Sequence, residues 1–131
     1  MNNEQGMEGW EVISSYSRRD ALEDGVLVDV SELAREAGFK WPLAVTRGVW
    51  EILEPSDDLK AEGQSWNGRA WDMLTILRYA IRNASRPDEV HFSPLFVLKP
   101  GREAVAVALW AKSGPGDDAE AVITIMLEGE D

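Results

Sequence analysis

One histidine, His91, and no cysteine occur in the chain, and this narrows the available chemistry before any fold is assigned. Without cysteine there is no thiolate nucleophile, disulfide, thiolate zinc site or thiol redox switch. A Ser-His-Asp relay would have to run through His91. Ser93 lies too near it in sequence to serve as the nucleophile, and no G-x-S-x-G elbow stands elsewhere. His91 therefore reads as a strand histidine with a structural or surface role. Metal binding is left to carboxylates, which suit only hard cations. The reading assigns no catalytic residue, no metal and no cofactor.

The densest carboxylate group lies in SGPGDDAEAVITIML, residues 113–127, where Asp117, Asp118 and Glu120 follow a Gly-Pro-Gly turn. A calcium loop needs more oxygen ligands at regular offsets, and a paired-carboxylate enzyme needs a facing group. Neither is written here, so the segment reads as a solvated hairpin turn in which Asp117 or Asp118 supplies local turn hydrogen bonds. The glycine-containing stretches lack the spacing of a phosphate-binding loop.

Arginine and tryptophan are more suggestive. Arg47 stands near Trp50; Arg69, Trp71, Asp72 and Arg78 share a second segment; Trp10, Trp41, Trp66 and Trp110 complete a set of six tryptophans. Such residues dominate protein-binding hot spots because they combine area, rigidity and directional hydrogen bonds. Thirteen Lys and Arg against 24 Asp and Glu give a net charge of -11, which repels nucleic acid and anionic lipid and attracts basic protein surfaces.

These features support a small acidic, non-enzymatic binding protein acting on a host protein with a basic surface. The expected contacts are Asp117, Asp118, Glu128, Glu130 and Asp131, with Trp50 or Trp66 as anchors. The alternative is a small-ligand site or enzyme pocket between helices and sheet, built from Tyr16, Thr46, Arg47, Arg69 and Asp72. There a carboxylate of raised pKa would have to move protons. A homodimer through the sheet is a third reading.

The elements that must position these residues follow from periodicity and caps. Residues 1–9 read as a flexible lead-in to one α+β domain spanning 10–131, with a short strand at 10–14. Ser17 and Asp20 form a capping box for a helix ending at Asp24-Gly25. GVLVDV is a strand, and Ser31 caps the helix ELAREAG, which Gly38 terminates. Pro42 opens a helix over residues 43–53, and residues 54–65 form a loop. Asn67 caps a long helix whose apolar face is Ala70, Trp71, Leu74, Leu77, Arg78 and Ile81.

VHFSPLFVL, AVAVALWA and AVITIML, divided by two glycine-containing turns, predict a C-terminal three-stranded antiparallel meander packed against two or three helices, with Pro94 at an edge or bulge. Neither a signal peptide nor a membrane span is written, so the expected location is the cytoplasm.

The segments VISSYSRRDALEDGVLVDVSELAREAGF (12–39), VTRGVWE (45–51), GRAWDML (68–74) and GPGDDAEAVITIMLEGED (114–131) resemble an uncharacterised family of small acidic bacterial proteins. Members of that family are commonly encoded on plasmids and phage-derived elements. The resemblance implies a mobile-element context, in which inhibition of host machinery, defence systems included, is a common task. It carries no catalytic residue.

Overall fold

The computed structural model describes residues 16–86 and 88–130. The lead-in, the strand expected at 10–14 and Asp131 lie outside them. Ser17 and Asp20 form the capping box as expected, and helix α1 (Arg18–Asp24) stops at Gly25, which takes a left-handed φ of 79°. Strand β1 (Leu27–Asp29) leads into helix α2 (Ser31–Glu36), whose terminator Gly38 has φ 102°.

Ser31 does not cap α2. Val30 holds that position, and the Ser31 hydroxyl instead accepts from Leu43 N at 2.9 Å and donates to Asp29 Oδ1. A hydroxyl beside two strands meets an unpaired strand N–H sooner than its own helix does.

The largest departure falls on residues 43–53. Leu43–Thr46 form strand β2, and only Arg47–Leu53 form a helix, α3, capped by the Thr46 hydroxyl. Leu43, Ala44 and Val45 are buried in succession, so side chains on both faces of β2 are covered. A strand buried on both faces shows no alternation. The expected loop contains helix α4 (Asp57–Ala61), capped by Ser56. Helix α5 (Trp66–Arg82) is capped by Ser65 rather than Asn67, and it buries Arg69, Ala70, Met73, Leu74 and Leu77. Trp71 is exposed, so the helix is rotated from the face read in the sequence.

The C-terminal third is a meander only in part. VHFSPLFVL breaks at Ser93-Pro94 into β3 (Glu89–Phe92) and β4 (Leu95–Phe96), and AVAVALWA breaks into β5 (Val105–Ala106) and the start of β6 (Leu109–Pro115). Strands β4 and β5 pair as a separate ribbon, while β3, β6 and β7 (Ala121–Leu127) run antiparallel. Pro94 ends β3, an edge strand, and its carbonyl accepts from Val107 N at 3.0 Å.

The main sheet has the order β1-β2-β7-β6-β3, and β2 lies parallel to β7, with Leu43 opposite Ile123 and Val45 opposite Ile125. Its inner face, carrying Leu43, Val45, Val90, Phe92, Leu109, Ala111, Ile123 and Ile125, meets α2, α3 and α5 in one apolar cluster. Each fully buried Leu or Ile there contributes about 1.5–3 kcal/mol. The outer face carries Thr46, Trp110, Lys112, Val122, Thr124 and Met126, and α1 lies against part of it. No helix among the described residues is long and apolar enough to cross a membrane.

Candidate functional site

Most of the side chains singled out in the sequence converge on this outer face and its two ends. At the β6–β7 turn, Asp117 accepts from Arg18 N through Oδ1 and from Arg19 N through Oδ2, both at 2.9 Å. Its bonds are therefore not local to the turn: the carboxylate adds a second cap to α1. Two amides donating to the charged form hold its pKa below the usual carboxylate value, the Arg19 N–H contributing most. The Arg18 side chain turns inward, donating to Thr124 Oγ1 at 2.7 Å and to Ile123 O at 3.0 Å. Burial lowers its pKa, and Asp29, Asp117 and Glu120 oppose that shift.

Glu120 folds back over the turn and accepts from Asp118 N at 3.0 Å. A Cβ at 116 would stand 2.6 Å from the Glu120 carboxylate, so any larger residue there would push that exposed side chain off the turn. A cleft of about 270 Å³ results, lined by Arg18, Arg19, Asp29, Asp117, Asp118 and Glu120.

Replacing Asp117 with alanine is expected to lower the melting temperature at neutral pH. Because the folded-state pKa is depressed, this stabilisation is present above the ordinary value of 3.8 and is lost as pH falls through the folded value. Melting temperatures of the two proteins, separated at neutral pH, should converge as the pH falls below 3.8 and through the folded value.

At the opposite end of the hairpin Glu130 accepts from the Thr46 hydroxyl and from Leu127 N, each at 2.8 Å, and its carbonyl accepts from Trp110 Nε1 at 3.1 Å. Thr46, Arg47, Asp24 and Glu130, with Leu27 and Met126, line a cleft of about 600 Å³. Tyr16 reaches its rim by donating to Asp24 at 2.9 Å. Arg69 and Asp72 do not join it: Arg69 is buried with its guanidinium 5.3 Å from the Phe96 ring centre, and Asp72 sits on the exposed side of α5. The five residues expected to form one pocket are thus divided between two places.

Glu128 binds His91 Nδ1, Glu89 stands 3.1 Å from Nε2, and the imidazole stacks on Trp110 at 5.8 Å and 11°. The Glu128 bond, then the Glu89 bond, raise the His91 pKa above 6.5. The stabilisation from this cluster is full below 6.5 and is lost as pH rises through the folded pKa. In an NMR titration, Glu128→Gln is expected to move the His91 midpoint down toward 6.5; an unchanged midpoint would assign the shift to another group.

The proposed anchors Trp50 and Trp66 pack on each other, ring centres 5.2 Å apart, and lean against the core half-buried. Among the described tryptophans the more open are Trp41 at 49% and Trp71 at 42% exposure, which sequence reasoning did not select as anchors. Among the described residues no three His, Asp or Glu side chains converge to hold a metal ion.

A five-stranded mixed sheet with three helices packed on its inner face and a carboxylate-bordered outer face defines an α+β protein. The chain belongs to a family of unknown function (DUF6573), whose model matches residues 1–131. No curated protein and no solved structure matches it.

Proposed function

We propose that the chain is a non-enzymatic binding protein that modulates or inhibits a host protein by occupying its basic surface, and that it acts in the cytoplasm as the product of a plasmid or phage-derived element. The observation that supports this reading is how the outer-face carboxylates are held. Asp117 is fixed by two backbone amides and Glu130 by a hydroxyl and an amide, and neither stands in an ion pair with Lys or Arg among the described residues. Such bonds order a charge without neutralising it. A rigid anion loses less freedom on docking, so more of its attraction remains as affinity.

The test is capture of partners from host lysate on the tagged chain, with and without nuclease, followed by mass spectrometry and a salt series. The expected result is a stoichiometric protein, retained after nuclease, released by salt and weakened by Asp118→Lys but not by Glu62→Lys just after α4. Retention that ignores both salt and Asp118→Lys would refute the acidic-surface reading.

The cleft beside Thr46 and Arg47 supports a second reading, since about 600 Å³ suits a small molecule and an arginine orients anions. Thermal stabilisation by a small carboxylate or phosphate, abolished by Arg47→Ala, would favour it.

A further inference from the structure

The inner face of the sheet is not covered along its whole length. Near the β6–β7 turn the C-terminal end of α5 and the segment after Gly38 stop short of it, leaving two adjoining depressions of about 360 and 260 Å³. Trp41, Ile81 and Ile123 line both, so together they form one apolar groove.

Its charge opposes that of the molecule. In a chain of net charge -11, the larger depression is lined by Lys40, Arg78 and Arg82 and by no carboxylate, and the one carboxylate lining the smaller, Asp88, stands 3.5 Å from Arg86. None of these three cations has an Asp or Glu within ion-pair distance among the described residues. Arg78 is also braced: its Nη1 donates to Ala37 O at 2.8 Å, and its guanidinium packs so tightly on Gly38 that a Cβ there would come within 2.9 Å. The bond to Ala37 uses one nitrogen and leaves the rest of the guanidinium fork to a ligand.

We propose that this groove docks a segment of a partner protein in which carboxylates lie beside bulky apolar side chains, the apolar groups entering between Trp41 and Ile81 and the carboxylates meeting Arg78, Arg82 and Lys40. Charge complementarity selects this occupant. A second copy docked symmetrically through this groove would set its own Lys40, Arg78 and Arg82 against the same three cations. An exposed tryptophan flanked by arginines has the composition of an interface hot spot. The surface is separate from the acidic outer face and does not depend on what that face binds.

The test uses the full chain, immobilised and panned against a random dodecapeptide library, with enriched peptides resynthesised carrying fluorescein and titrated by anisotropy. Peptides pairing Asp or Glu with Trp, Phe, Leu or Ile should be enriched. Their affinity should fall at least about tenfold in Trp41→Ala and in Arg82→Glu. Both residues are exposed, so each variant should melt near the parent temperature, which circular dichroism checks. No enrichment, enrichment of peptides without carboxylates, or binding indifferent to both variants overturns the proposal. So does a Trp41-dependent dimer in sedimentation, which gives the groove to a second copy. Trp41-dependent flotation with phosphatidylglycerol vesicles, which gives it to a membrane, overturns it as well.

Discussion

Replacing Arg69 with methionine should make the protein more stable. Arg69 is the one charged residue in the core among those described, 5% exposed, and its Nε and Nη1 are buried with no hydrogen-bond partner. Burial lowers its pKa, yet an arginine stays charged at any ordinary pH. The Phe96 ring, 5.3 Å from the guanidinium carbon, returns about 0.5–2 kcal/mol, less than the cost of two buried N–H groups left without partners at about 1–3 kcal/mol each. Methionine keeps most of the length and packs without a charge. A gain of about 1–4 kcal/mol is expected in urea unfolding, with a melting temperature raised by several degrees. Arg69→Ala should lose stability instead, because it leaves a void. A methionine variant less stable than the parent would show that the guanidinium is satisfied in the folded protein.

The second large effect is expected at Leu43. It is fully buried in β2, opposite Ile123 of the neighbouring strand, and truncation to alanine should cost about 2–5 kcal/mol. Had residues 43–53 formed one helix, Leu43 would stand in its first turn, where the same truncation costs much less. Val26→Ala, at a position 50% exposed, is the control and should change stability by less than about 0.5 kcal/mol. Equal effects at the two positions in chemical denaturation would remove β2 from the centre of the sheet.

What was legible in the sequence was what neighbouring residues decide together. The Ser17–Asp20 box, the stop at Gly25 and the β6–β7 hairpin each depend on residues a few positions apart. Residues 43–46 misled for the opposite reason. Pro42 and the spacing of Val45, Val49 and Ile52 satisfy a helix locally, and the parallel partner that makes a strand of them lies some eighty residues on. On α5, Ala70, Leu74 and Leu77 suit two overlapping stripes, one adding Trp71 and the other Arg69 and Met73. A buried arginine is the choice composition disfavours. The site fared similarly. Asp117 was visible as a turn acid, but its bonds to Arg18 and Arg19 exist only because α1 lies against the hairpin. Trp41 gave no periodic signal because it stands between elements.

The position of β7 has a consequence for synthesis. Strands β1 and β2 come from the first third of the chain and β3 and β6 from the last, and β7 alone joins the two groups by pairing with β2 on one side and β6 on the other. Until β7 has emerged and docked between them, β2 lacks its second neighbour, and before docking β2 and β6 each present an open edge that an aggregating neighbour could extend. Contacts spanning most of the chain also form slowly. The main sheet therefore closes only once translation has passed Leu127, and the nascent chain is a natural client for a chaperone that shields strand edges.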